Sequence, residues 1–323
     1  MQPSPAAIHS DADKKEYTVE RLTSDRLKDV EQLYKAVYKR EAPVEYFIKK
    51  YNTGYTGVEY VGYVAYNAAG SPIGYYGVIP CFLKCGGEKI LAAQSADTMT
   101  HPGFRYKGLF VHLSNITFDL CRQSGVRVIF GFPNQNSYHG AVNKLGWQLT
   151  HTMECFLLPV KSNRIKKYLA KLPMTSGILK QRRERVLSSY RINKKMVANS
   201  VLADAFFGVV RDSSYQSSKD YHEREVLKME NCQVWCKITD EFIIGDMEIT
   251  PGKFLPLLER IMDVAGKLGL TQIQFHASPG TGMHTLFAAN YSSIPSFAAL
   301  FQNLDPTTNI NHIRFTFADI DIF

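Results

Sequence analysis

Residues Ala96 to Leu113 read "ADTMTHPGFRYKGLFVHL". The first residues continue a strand-like run that stops at His101-Pro102-Gly103. Leu109, Leu113, Ile116 and Leu120 then recur at helical spacing. Between strand and helix stand Arg105, Lys107 and Gly108. A helix N-terminus leaves several backbone N–H groups unpaired and carries the positive end of the helix dipole. A glycine there lets a ligand approach the backbone, so the unit can cradle a diphosphate, with Arg105 and Lys107 adding charge. It can equally be an ordinary helix cap. The loop alone leaves both readings open.

Three strand patterns precede it: "EYVGYVAY" (59–66), "IGYYGVIPCFLK" (73–84) and "KILAAQSADTMT" (89–100). The turns between them, "NAAGSP" and "CGGE", hold the Asn, Gly and Pro that hairpins favour. Further upstream, "YTVERL" (17–22) predicts a strand. Ser24 can cap a helix with Leu27, Val30, Tyr34 and Val37 on one face, and Pro43 can open another. Downstream the central helix should close near Gly125, followed by the buried strand "VRVIFGF" (126–132). A short helix carries Tyr138, Ala141, Val142 and Leu145 and ends at Gly146. Strands near 148–150 and 153–160 complete the unit.

The rest repeats this order. A shift of 144 positions places Gly108 on Gly252, Phe110 on Phe254, Leu113 on Leu257, Asp119 on Asp263, Gly125 on Gly269 and Ile129 on Ile273. Two strands (232–239, 241–249), a helix (252–268), a strand (271–276) and a helix (283–289) follow in the same sequence, as a degenerate duplication would give. The expected division is a tail at 1–16, a first domain at 17–160, a basic linker at 161–198 and a second domain at 199–323. The closing "FADIDIF" predicts a strand with Asp319 and Asp321 on one face, either solvated or facing an amino substrate.

The net charge of +8 is local. Lys161 to Lys195 holds twelve Lys/Arg against the single acid Glu184, while the remaining chain carries 26 basic and 29 acidic residues. Apolar residues interleave these cations, so the segment reads either as a linker docked on both domains or as a peripheral contact with an anionic membrane. Aromatic residues are too sparse there for a nucleic-acid platform, so no nucleic-acid partner is expected. No apolar run approaches the roughly 18 residues of a membrane-spanning helix. The polar N-terminus lacks a secretory h-region, and six cysteines without a companion His pair fit free thiols, so the expectation is a cytoplasmic protein without a metal site.

"THPGFRYKGLF" (100–110) resembles the acyl-CoA-binding signature of the GNAT N-acetyltransferase superfamily, R/Q-x-x-G-x-G/A, on Arg105 and Gly108. "GFPNQNSYHGAVNKLGW" (131–147) is similar to the family's second motif, an Asn after a strand and then a helix ending in K-L-G-F/W. The resemblance implies a mixed α/β (α+β) fold of two GNAT-like domains, each a mostly antiparallel central sheet flanked by helices, the second one degenerate. It implies acetyl-CoA or another acyl-CoA as co-substrate, held by Met99, Thr100, Arg105, Tyr106, Lys107, Gly108, Leu109, Phe110, Asn134 and Asn136. A backbone N–H near Met99 would serve the oxyanion, Asp97 or His101 the base, and no metal is required. Asn134 and Asn136 have the alternative role of capping the helix that follows them. Two positions depart from the pattern. Phe110 replaces the second Gly or Ala, and Val142 stands where many members have an acidic Tyr, which leaves Tyr138, one turn earlier, as its substitute.

The implied activity is transfer of an acetyl group to a primary amine of a small molecule or amino sugar, of the cell-envelope or polysaccharide type. Two alternatives stand beside it: a peptidoglycan-type aminoacyl transferase, and a non-catalytic CoA-binding scaffold. In the second half Ile249 takes the place of Arg105 and Ser278 that of Asn134, so that half is expected to be non-catalytic.

Overall fold

The computed structural model describes residues 17–161 and 176–323. The expected tail, and most of the basic stretch before residue 176, lie outside these residues. The chain opens with strand β1 (Tyr17–Arg21) and helices α1 (Leu27–Tyr38) and α2 (Val44–Tyr51). Leu27, Val30 and Leu33 form the buried stripe of α1, which ends at Lys39 in the left-handed conformation. A meander follows: β2 (Val61–Asn67), β3 (Pro72–Cys85) and β4 (Glu88–Thr100). Asn67 closes the first turn by accepting from the Ala69 and Ser71 amides, with Gly70 at a positive φ.

Helix α3 (Leu109–Gln123) crosses to β5 (Val128–Gly131), which pairs parallel to β4. Helix α4 (Gln135–Leu145) leads to one continuous strand, β6 (Gln148–Pro159), in place of the two short strands expected. Beyond it come α5 (Ser176–Leu187), α6 (Ser200–Ala203), β7 (Gly208–Val209), α7 (Ser213–Ser218) and the hairpin β8 (Glu225–Met229) and β9 (Cys232–Ile238). Then β10 (Phe242–Glu248), α8 (Phe254–Leu268), β11 (Gln272–Ala277), α9 (Gly282–Ala288) and β12 (Ser293–Asn303) complete the second half.

The mixed α/β class holds, with a mostly antiparallel sheet flanked by helices. What differs is the division into two sheets. The described strands form one sheet, ordered β1-β2-β3-β4-β5-β12-β6-β11-β10-β9-β8, with β7 attached to β3. Each half contains a single parallel pair, β4 with β5 and β10 with β11. The closing strands are exchanged: β12 lies antiparallel against β5, and β6 lies antiparallel against β11. The two meet antiparallel at the centre.

The repeat is visible in the backbone. Gly108 and Gly252 share a φ of 74°, and Gly125 and Gly269 lie at 79° and 81°. Helices α3 and α8 are both 15 residues long. In the first half α3 and α4 cover one sheet face around Leu113, Phe118 and Trp147, while α1 and α2 cover the other around Phe47, Tyr51 and Met99.

Candidate active site

Gly108 caps α3 in the left-handed conformation, and no side chain bonds the helix's leading amides. A Cβ built on Gly108 would meet nothing within 4 Å, so the backbone is open to an incoming group. Arg105, Tyr106, Lys107 and Gly108 are all exposed, Tyr106 at a φ of 65°. Leu109 is buried under the sheet. Phe110 turns its ring inward, edge-on to Tyr76 at 6.3 Å. Gly140 on α4 makes room for it, since a Cβ there would lie 2.8 Å from Phe110 Cε1. The residue that departs from the family pattern thus spends its bulk in the core and leaves the helix start clear.

This loop stands where two strands part. Strands β4 and β5 pair only through Ala92–Val128, Ala93–Ile129 and Gln94–Phe130, yet β4 runs on to Thr100. Past Gln94 the β4 edge has no pairing partner on β5. A bulge follows, with Asp97 and Thr98 set against Tyr76 alone, and Asp97 adopts a φ of 48°. Such a bulge leaves a residue out of the ladder and re-aims its side chain. Met99 is buried in the α1–α2 core and pairs with Tyr75, while Thr100 pairs with Gly74.

His101 is tied back. Its amide donates to Ile73 and its Nδ1 accepts from Gly103 N–H at 3.2 Å. In the neutral ring the proton then sits on Nε2, which leaves no free acceptor for a base. Asn134 caps α4, its Oδ1 accepting from the Asn136 and Ser137 amides at 2.9 and 3.2 Å. Asn136 is exposed. Tyr138 and Val142 both pack partly buried on the α3–α4 core, and the Tyr138 hydroxyl takes no partner among the described residues.

The centre that sequence reasoning missed is Lys50. Its side chain is 1% exposed, and its ammonium lies 2.7 Å from Asp97 Oδ2 and 2.8 Å from Asp321 Oδ2. Burial disfavours that ammonium, but Asp321 and Asp97 outweigh it and raise its pKa well above the ordinary lysine value. Tyr51 OH donates to the same Asp97 oxygen at 2.7 Å, and Gln94 Nε2 donates to Asp321 Oδ1 at 2.9 Å. A signal was present in the sequence: Lys50 shares the buried face of α2 with Phe47 and Tyr51, where a cation needs carboxylate company.

The "FADIDIF" expectation needs correction. Phe317–Asp319 is a 3₁₀ turn, not a strand, because the Thr316–Asp319 capping box closes it. Asp319 is buried against Arg211, and Asp321 reaches Lys50, so the two do not share a solvated strand face. On the α2 side, Glu45, Tyr46, Lys49, Asp220, His222 and Arg224 line a groove of about 570 Å³.

In the second half the corresponding opening is filled. Pairing of β10 with β11 stops at Ile244–Phe275. Beyond it Asp246 is sealed by Arg211 at 2.6 Å, both side chains fully buried. The Phe323 ring lies on Gly245, 2.2 Å from where a Cβ would stand. Ile249 packs on the core of that half.

The sequence model of the acetyltransferase (GNAT) domain matches residues 18–150. The first half of the chain therefore carries a GNAT domain.

Comparison with curated proteins gives no match. Among solved structures, a probable N-acyltransferase from Enterococcus faecalis has a TM-score of 0.60 at 10% identity, covering 91% of this chain and 74% of its own. A GCN5-related N-acetyltransferase from Kribbella flavida has a TM-score of 0.56 at 13% identity, covering 92% and 73%. A putative acetyltransferase from Pyrococcus horikoshii, at 0.51 and 12%, covers 97% and 99%. At these identities the likeness is one of fold. The GNAT domain covers β1 to the start of β6, and so contains the parted strands, the α3 loop and Asp97. Among the described residues no helix is long and apolar enough to cross a membrane, and no group of three or more His, Cys, Asp or Glu is placed to hold a metal ion.

Proposed function

We propose that this protein is an acyl-CoA-dependent N-acyltransferase that moves an acetyl group from acetyl-CoA to a primary amine of a small molecule or amino sugar. One observation carries the reading: the uncapped, sterically open start of α3 lies beside β4 where that strand loses its partner β5. The α3 amides with Arg105 and Lys107 suit a diphosphate, and the free β4 edge suits the amide-bearing arm that follows it. Residues 17–160 are then the catalytic half, and 199–323 the half that shapes the acceptor side. Acyl-CoA is an intracellular metabolite, so a cytoplasmic setting goes with the proposal.

In this mechanism the amine nitrogen attacks the thioester carbon, the C–S bond breaks, and the sulfur leaves as thiolate. Backbone N–H groups at the β4 bulge, around Met99, face the developing oxyanion. Asp97 takes the ammonium proton; it has one oxygen without a partner among the described residues, whereas the acceptor nitrogen of His101 is occupied. Tyr138, whose hydroxyl has no partner among the described residues, gives a proton to the thiolate.

Release of free thiol from acetyl-CoA, followed across a panel of amines and amino sugars, tests this. General-acid help is worth roughly 10²–10⁴-fold. Tyr138→Phe should therefore lower kcat by about that factor with little change in the KM for acetyl-CoA. A kcat within about twofold of the wild type would remove Tyr138 as the acid. Acetyl-CoA binding without thiol release for any amine would favour the scaffold reading instead.

A further inference from the structure

The last seven residues enter two similar bridges, one within the second half and one that joins the two halves. In the second half Arg211 is clamped between Asp246 on β10, at 2.6 Å, and Asp319, at 2.8 Å, with all three side chains fully buried. In the first half Lys50 is clamped between Asp97 on β4 and Asp321, at 2.7 and 2.8 Å. Both bridges run from a β-strand aspartate, near a bulge and beyond the end of parallel pairing, through a cation, to an aspartate of the C-terminal segment. They differ in exposure. The Arg211 bridge is sealed, whereas Asp97 and Asp321 keep 12% and 13% of their side chains accessible.

We propose that Asp321 is a positioning residue for acyl transfer: through Lys50 it holds Asp97 and the β4 bulge in place. This rests on the reading of Asp97 as the base. Asp97 sits at a positive φ, which is unfavourable for a non-glycine residue and persists only where the surroundings enforce it. The enforcing contacts are Lys50 and Tyr51, both on one carboxylate oxygen. A lysine ammonium has three donors. Those of Lys50 are directed to Asp97, Asp321 and, at 3.4 Å, the Tyr46 hydroxyl. Without Asp321 one buried donor is unmet and Gln94 loses its acceptor, so the ammonium is free to shift and Asp97 with it. The second half thereby completes a site whose other parts all lie in the first.

The test compares the full chain with Asp321→Ala, Asp321→Asn and Asp319→Asn, by acetyl-CoA kinetics and by amide hydrogen exchange. Displacing a reacting group by about 1 Å can cost 10²-fold. Asp321→Ala should lower kcat at least tenfold at unchanged KM for acetyl-CoA and speed exchange at Thr98–Thr100, with the rest of the sheet still protected. Asp321→Asn, which keeps an acceptor oxygen, should fall between Asp321→Ala and the wild type. Asp319→Asn should loosen the whole second half instead. Unchanged kcat and exchange in a folded Asp321→Ala protein would overturn the proposal. So would a loss of protection spread evenly over the sheet, which would make Asp321 a stability residue only. If the wild type transfers no acyl group, the functional reading fails, and exchange at Thr98–Thr100 still decides whether Asp321 holds the bulge.

Discussion

Phe110 and Gly140 show how a departure from a family pattern is absorbed at the level of single residues. A phenylalanine in the α3 loop would obstruct a phosphate cradle if it faced outward. It faces inward because α4 presents a glycine against its ring. Gly140→Val would force the ring aside, and overpacking of this kind costs about 1–3 kcal/mol. Urea denaturation should show that loss as a lower midpoint, and on a Phe110→Ala background the same substitution should be nearly neutral. Equal losses in both backgrounds would mean that the two residues are not coupled. Lys50 makes the complementary point. A single lysine on an apolar helix face is readable as buried, but its partners lie 47 and 271 positions further along, and local sequence carries no trace of them.

At the scale of elements, much was legible. Helical spacing placed α1, α3, α4 and α8 within a few residues, and turn chemistry placed β2, β3 and β4. The 144-residue shift anticipated the matched glycines of α3 and α8. The exchange of β6 and β12 was not legible, for a physical reason. Alternation of apolar residues fixes which face of a strand is buried, not which strand lies beside it. The short strand β8 and the 3₁₀ turn at Phe317–Asp319 were missed because one lacks clean alternation and the other imitates it. The candidate site divides in the same way. The α3 loop was found from its glycine and charges, whereas the Lys50 clamp depends on long-range pairing.

At the scale of the molecule, the exchanged strands make the centre of the sheet a shared seam. His151 on β6 and His276 on β11 line it, bonded to Ser278 at 2.7 Å and to Ser296 at 2.6 Å. Burial, aided for His151 by Arg314, lowers the pKa of each from 6.5 to about 4. Both rings are therefore neutral in the fold, while an unfolded chain binds their protons below about pH 6.5. Their stabilising contribution is full above that pH and is lost as pH falls toward 4. Each histidine should remove up to about 1.4 kcal/mol per pH unit within that window. Urea unfolding measured from pH 7 to pH 5 should show the decline, and a flat profile would contradict neutral histidines at the seam.

The same seam makes the whole chain the proper object for a binding measurement, since a fragment ending before β12 would leave the edge of β5 open. A single acyl-CoA site is expected, in the half where β4 and β5 part and not in the half where Asp246, Arg211 and Phe323 fill the opening. Calorimetric titration of the full chain with acetyl-CoA tests it most directly. One site per chain is expected, abolished by Gly108→Asp, which sets a carboxylate where the diphosphate would lie, and retained in Gly252→Asp. Two sites per chain, or undiminished affinity in a folded Gly108→Asp protein, would contradict it.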